Sequence, residues 1–253
     1  MVQMVEQAII LAAGMGTRLK AFGKHTPKGF LRLGERPIIE ESLEKLWRVG
    51  IERVVVVTGH LNEFYDNLAA ESGGRVETVF NPLYAESGSM YSLFLAREKI
   101  SQDFLLLESD LIYEQRALEE AIHFSQDHCI LLSGPTNAGD EVYVTGHNGG
   151  ITGMSKEPVN LQGVVGELVG ISKISNMLFK SMLTSAQKRF ENTLQVAYET
   201  DCLVDVAAKK TVHYHMISDL LWTEIDDESH LQRASSQIYP AILGLETIED
   251  SGR

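Results

Sequence analysis

The 253-residue chain is 44% hydrophobic, enough for a sizeable core, and carries 22 basic against 35 acidic residues, a formal charge of −13. That balance argues against a nucleic-acid or anionic-membrane partner, because both need a basic patch. Cys129 and Cys202 sit in apolar surroundings and read as reduced core thiols, and the N-terminal apolar run is too short for a secretory or membrane-spanning segment, so a cytoplasmic location is expected.

The first strand is the apolar run that begins at Ala8 and ends at Ala12-Ala13. Ile39, Leu43, Leu46 and Trp47 fall at helical spacing over 37–49, with Glu40 and Glu41 early and Arg48 late, so an amphipathic helix follows. Val54 to Val57 read as a strand buried on both faces, which completes a right-handed βαβ unit. Helices are predicted over 61–70, 90–99 and 115–126, and strands over 77–80, 104–107 and 129–132. After Ser133 the rhythm changes to a hairpin, 142–145 and 151–155, around Asn148-Gly149. Strands at 166–173, 211–216 and 222–225 follow, with one or two helices within 179–208 and a last helix over 229–239. The tail to Arg253 reads as loosely held. The expectation is a single α/β domain, a Rossmann-like mixed, mostly parallel sheet flanked by helices. A nucleotide half spans about 1–134 and an acceptor half about 135–240.

Chemistry concentrates where the first strand ends. Gly14 and Gly16 let the chain turn and aim amides at phosphate oxygens, while Arg18 and Lys28 bring charge, so the implied ligand is a polyphosphate. Neither a Walker loop nor a dinucleotide fingerprint fits the spacing, since Leu19 stands where the latter needs glycine. Asp110 closes an apolar strand at the same sheet edge and reads as a Mg²⁺ ligand, with a helix N-cap as the alternative. Asp226 has the same local setting, and Asp227 is its rival. Ser87-Gly88-Ser89-Met90-Tyr91 starts a helix whose N–H groups suit an anion or carbonyl, or form an ordinary cap. The eight histidines show no metal-ligand spacing.

The stretch LAAGMGTRL with the lysine of Thr26-Pro27-Lys28 resembles the signature loop of nucleotidyltransferases that activate sugar phosphates and small alcohol phosphates. Glu224-Ile225-Asp226 and Gly88-Ser89-Met90-Tyr91-Ser92-Leu93 are similar to segments of the cytidylyl branch, the bacterial choline-phosphate and 2-aminoethylphosphonate cytidylyltransferases. The resemblance implies a nucleotide-diphospho-sugar transferase-like fold. It also implies transfer of CMP from CTP to a small phosphonate or phosphate acceptor, 2-aminoethylphosphonate or phosphocholine in type, with pyrophosphate released. Leu11, Ala12, Ala13, Gly14, Met15, Gly16, Thr17, Gly59, Gly88 and Ser89 would bind the nucleotide; Arg18 and Lys28 would act on its phosphates; Asp110 and Asp226 would hold Mg²⁺. Lys156 matches an acceptor-phosphate lysine with one residue intervening before Pro158, and is otherwise a surface lysine. Tyr91 and Glu199 are the acceptor-side candidates, although a solvated helix face suits Glu199 as well. A sugar-1-phosphate uridylyl- or thymidylyltransferase and a non-catalytic nucleotide-binding module are the alternatives, and a homo-oligomer is compatible with the sequence.

Overall fold

The structure is a computed structural model that describes residues 5–19, 22–157 and 162–251, without the side chains of 22 and 248–251. Pro158 and the last two residues lie outside them. The first strand β1 (Gln7–Ala12) is buried along its whole length, as is β2 (Arg53–Thr58) after its first residue. Between them α1 (Ile38–Arg48) buries Ile39, Leu43 and Leu46 and keeps its acids at the N-terminal turn and bases at the last, the arrangement its dipole favours. The amphipathic helix and β-branched strand thus form where their periodicities differ.

The sheet continues with α2 (Asn62–Glu71), β3 (Val76–Phe80), α3 (Ser89–Leu95) and β4 (Phe104–Glu108). Then come β5 (Leu111–Tyr113), α4 (Arg116–His123), β6 (Cys129–Ser133), the hairpin β7 (Tyr143–His147) and β8 (Gly150–Ser155), and β9 (Val164–Ile174). The C-terminal third holds α5 (Asn176–Phe190), a π-helical turn Tyr198–Leu203, α6 (Val204–Ala207), β10 (Tyr214–Ile217) and β11 (Trp222–Glu224). It ends with α7 (Glu228–Arg233), a second π-helical stretch and α8 (Tyr239–Ser251). Among the described residues the main sheet has the order β10-β6-β9-β4-β1-β2-β3, with β7 beside β9 and β8 beside β7. β4-β1-β2-β3 and β6-β10 pair in parallel, whereas β9 runs antiparallel to β4, β6 and β7. This is the expected mixed sheet flanked by helices.

Alternate residues feed two cores. Ile9, Leu11, Val55, Val57 and Leu106 face one side with α3 and α5; Ala8, Ile10, Val54, Val56, Leu105 and Leu107 face the other with α1 and α4. A third, smaller cluster joins Leu19, Leu31 and Ile38 of the first loop region to Ile112, Ile225, Ala234 and Ile242.

Three expectations need correction. Leu111–Tyr113, between the strand predicted over 104–107 and the helix predicted over 115–126, is a strand that pairs antiparallel with β11 and makes a separate two-stranded ribbon. Ile112 and Ile225, 113 positions apart, are buried in one small cluster, which local periodicity does not register. The tail is not loose: Tyr239–Ser251 is helical, with Ile242 buried and the Tyr239 hydroxyl donating to Glu41 at 2.7 Å. The helix predicted over 115–126 ends at His123.

Candidate active site

A cleft of about 260 Å³ opens beyond the carboxyl ends of β1 and β4, the edge at which open α/β sheets bind ligands. Leu11, Ala12, Ala13 and Gly14 form one wall with Pro27 and Lys28; Ser109 and Asp110 form the floor; Tyr84, Ser87, Gly88 and Ser89 form the far wall. Of the residues predicted for the nucleotide, Met15, Gly16 and Thr17 do not line this cleft. They continue past it into the exposed part of the loop, with Met15 41% exposed and Gly16 at φ +60°.

Gly59 does not line the cleft either, yet it shapes the wall. A Cβ there would come within 2.6 Å of Tyr84 Cβ and 2.7 Å of the Ala13 carbonyl, so only glycine lets that loop close on the first strand's end. At Gly88 a Cβ would meet the Val196 carbonyl at 2.3 Å. The N–H groups of Gly88 and Met90 donate to the carbonyls of Leu194 and Val196 at 2.8 and 3.0 Å, so the start of α3 is capped by backbone and those two donors are not offered to a ligand. Ser89 Oγ accepts from Tyr198 N at 3.0 Å and reaches Glu199 Oε2 at 3.3 Å.

The charged centre assembles three distant segments. Lys28 Nζ donates to Asp110 Oδ2 at 2.7 Å and to Asp226 Oδ1. Arg18 lies over the outer side of Asp226, its Nη2 2.7 Å from Oδ2, and reaches Asp140 at 3.7 Å. Apolar neighbours fix these positions: Leu19 follows Arg18, Ile112 lies two residues after Asp110, and Ile225 precedes Asp226, all in the third cluster. Burial on its own would lower the pKa of Lys28, but Asp110 and Asp226 overcome it and hold the ammonium well above its usual value. Burial likewise works against ionisation of Asp226, and Lys28, Asp140 and Arg18 outweigh it, so this carboxyl stays ionised. Asp227, the rival, accepts from Ser229 N and His230 N at 2.8 and 3.0 Å and is the N-cap of α7.

The floor is acidic. Glu108, Asp110 and Glu224 bring carboxylate oxygens within 4.8 Å of one another. Burial, helped by Asp110 and Glu199, pushes Glu108 up to about 8, and burial with Asp110 and Glu108 pushes Glu224 up to about 10. Tyr198 is fully buried and donates to Glu108 at 3.1 Å. Glu199 lies in the π-helical turn and lines the cleft with Glu108 and Glu224, its pKa raised by burial. The solvated-face alternative for Glu199 therefore falls away.

A side chamber opens from this floor, lined by Glu108, Glu199 and Glu224 together with Lys156, Asp140 and Thr136. Lys156 is thus brought to the site. Tyr91 is not: its ring stacks on Phe94 at 6.4 Å and meets Phe190 edge-on at 5.4 Å, on the side of α3 away from the cleft. Its place three residues before Phe94 puts both rings on one helix face, where the aromatic side of α5 covers them. Sequence reading missed Glu108, Glu224, Asp140 and His230. Glu108 and Glu224 each stand two residues before a singled-out aspartate, a period that returns a strand side chain to the same face.

A model of the MobA-like NTP transferase domain matches residues 8–169, more than half of the chain. The chain belongs to that family. Among its relatives, the choline-phosphate cytidylyltransferase of Streptococcus pneumoniae is 35% identical over 108 residues, which is 43% of this chain and 46% of that protein. The 2-aminoethylphosphonate cytidylyltransferase of Lancefieldella rimae is 36% identical over 106 residues, 42% and 43% of the two chains. Each match therefore spans less than half of the curated relative. The fold of this MobA-like chain extends further: the inositol-1-phosphate CTP transferase structure from T. maritima superposes with a TM-score of 0.81 at 21% identity, covering 96% of both chains.

A hard divalent cation takes oxygen ligands, commonly one or two carboxylates with waters and substrate oxygens. Glu108, Asp110 and Glu224 offer such oxygens within 4.8 Å of one another beside the glycine loop, and Asp226 meets Asp110 across the shared Lys28 ammonium. The residues fit a Mg²⁺-sized ion. Among the described residues no helix is long and apolar enough to cross a membrane.

Proposed function

We propose that this chain is a Mg²⁺-dependent cytidylyltransferase that moves CMP from CTP to a small phosphonate or phosphate acceptor of the 2-aminoethylphosphonate or phosphocholine type. The observation that carries the reading is the meeting of Lys28, Asp110 and Asp226 at the mouth of the glycine loop. Cytidine is supported by the activities of the relatives above, and a zwitterionic acceptor by a chamber lined both by Lys156 and by the carboxyl groups of Glu108 and Glu199.

In this reading an acceptor oxygen forms a bond to the α-phosphorus and the bond from that phosphorus to the bridging oxygen breaks, with the electron pair leaving on pyrophosphate. A phosphomonoester has a second pKa near ~6, so the acceptor arrives largely as a dianion and needs no general base. The cleft's work is positioning and charge stabilisation. Lys28 faces the α-phosphate and stabilises charge that develops there, and Arg18 moves from Asp226 to the terminal phosphates. Gly14 and Ala13 let the backbone approach the triphosphate, and Lys156 anchors the acceptor's phosphorus-bearing end. A Mg²⁺ ion held by Asp110, Asp226 and Glu224 would neutralise phosphate charge and align the acceptor.

The test is pyrophosphate release with CTP, UTP, dTTP or GTP, Mg²⁺, and a panel of aminoethylphosphonate, phosphocholine, hydroxyethylphosphonate and sugar 1-phosphates. Release with CTP and one small zwitterion is expected. Release only with UTP or dTTP and a sugar phosphate would replace the reading with a uridylyl- or thymidylyltransferase, and silence throughout would leave a binding module.

A further inference from the structure

The chain between α5 and α6 reaches the cleft at three points. The Leu194 and Val196 carbonyls accept from the start of α3, the Tyr198 hydroxyl donates to Glu108 at 3.1 Å, and Glu199 meets Ser89 at 3.3 Å. Glu199 also lines both the cleft and its side chamber. Its direction depends on the turn that carries it, Tyr198–Leu203, at whose start Cys202 N donates to the Ala197 carbonyl five residues back at 3.3 Å. Turns with this i to i+5 bonding are rare, so contacts from outside the turn must hold the pitch.

Those contacts come from the last turn of α5. Arg189 Nε and Nη2 donate to the two oxygens of Asp205 at 2.7 and 2.9 Å, and Nη1 donates to Asp201 Oδ1 at 2.8 Å. The other oxygen of Asp201 accepts from Ala197 N at 2.8 Å, at the residue where the turn begins. One planar guanidinium thus ties the turn, through Asp201, to α6, through Asp205. Exposed ion pairs contribute little as a rule, and the exception is a bidentate arginine within a network. Arg189 has 37% of its side chain exposed and lines neither the cleft nor the chamber.

We propose that Arg189 is a positioning residue for acceptor recognition: by holding Asp201 and Asp205 it keeps the π-helical pitch that aims Glu199 into the cleft. Without the clamp the turn relaxes toward α-helical bonding and Glu199 swings with it, while Leu194 and Val196 stay docked on α3. The loss is felt by the acceptor and not by the nucleotide. The inference rests on the proposed function for what Glu199 binds, and on the Arg189 contacts for how the turn is held.

Arg189→Gln breaks the clamp from one side and Asp205→Ala from the other. In hydrogen exchange of the ligand-free full chain, the amides of residues 197–203 are expected to exchange about fivefold faster or more in both variants, with those of β1 and β4 unchanged. In steady-state kinetics, KM for aminoethylphosphonate should rise about threefold to tenfold while KM for CTP stays within about twofold. Adding Arg189→Gln to Glu199→Gln should raise the acceptor KM no further, because the first change acts through the second residue. A merely structural role would move both KM values and add to the effect of Glu199→Gln. Wild-type exchange in both variants, an unchanged acceptor KM, or additive effects in the double variant would overturn the proposal. No pyrophosphate release from the wild type with any acceptor would sink the function alone, and the exchange measurement then decides the clamp.

Discussion

Lys28 Nζ lies 2.7 Å from Asp110 Oδ2, a bond that joins residues 82 positions apart and closes the first loop onto the end of β4. It also places the ammonium between two aspartates, Asp110 and Asp226, that stand 116 positions apart in the chain.

Lys28→Ala should leave the far-UV circular dichroism unchanged, since the side chain lies in the cleft and not in any of the three apolar clusters. Turnover should fall by about a hundredfold or more, the size seen when one preorganised charge-stabilising donor is removed. A steady-state assay at saturating CTP measures it, and unchanged turnover would remove Lys28 from the chemistry.

Asp226 and Asp227 are adjacent but differ in role. Asp227→Ala removes the cap of α7 and should cost about 1 kcal/mol of stability, with turnover kept within about twofold. Asp226→Asn should abolish turnover with CTP. Thermal melts and pyrophosphate release on the two variants separate the roles, and the opposite pattern would exchange them.

Glu108 and Glu224 bind protons more tightly in the folded chain than in the unfolded one, with pKa values of about 8 and about 10 against an ordinary 4.5. Their contribution to stability is therefore complete below pH 4.5 and is lost as pH rises toward those folded values. The ligand-free protein should melt at a lower temperature at pH 8.5 than at pH 6. Glu224→Gln, which carries no ionisable group, should narrow that gap, and addition of Mg²⁺ to the wild type should narrow it too. A gap that Glu224→Gln leaves intact would place the pH sensitivity elsewhere.

Glu199 lines the cleft and touches Ser89. Glu199→Gln should raise KM for an aminophosphonate by about tenfold, the loss of one charge-assisted hydrogen bond, and leave KM for CTP nearly unchanged. Equal KM values for aminoethylphosphonate in variant and wild type would take Glu199 out of acceptor recognition.

The cleft also separates what a sequence shows from what it hides. β1 and β2 are legible because strands buried on both faces must be apolar throughout, and α1 because a helix on a sheet needs one apolar stripe. The glycine loop, Lys28, Asp110 and Asp226 are legible because charged or glycine residues at the ends of apolar strands stand out against their surroundings. Tyr91 misled because an aromatic beside a loop motif looks the same whether it faces a ligand or, as here, Phe190. Glu199 stands among Tyr198, Thr200 and Asp201 in a π-helical turn, whose changed pitch carries its carboxyl to the cleft when α-helical spacing implies no such direction.

By itself the sequence determined the local elements, the glycine loop and the family resemblance, since each rests on residues within one or two turns of the chain. Tertiary structure alone decided that β9 enters between β4 and β6, that β5 pairs with β11, and that Asp110, Asp140 and Asp226 converge on Arg18 and Lys28. The physical reason is range. Periodicity and capping act over a few residues, whereas these meetings are held by long-range burial of Leu19, Ile112, Ile225 and Ile242 in one small cluster, which no local pattern encodes.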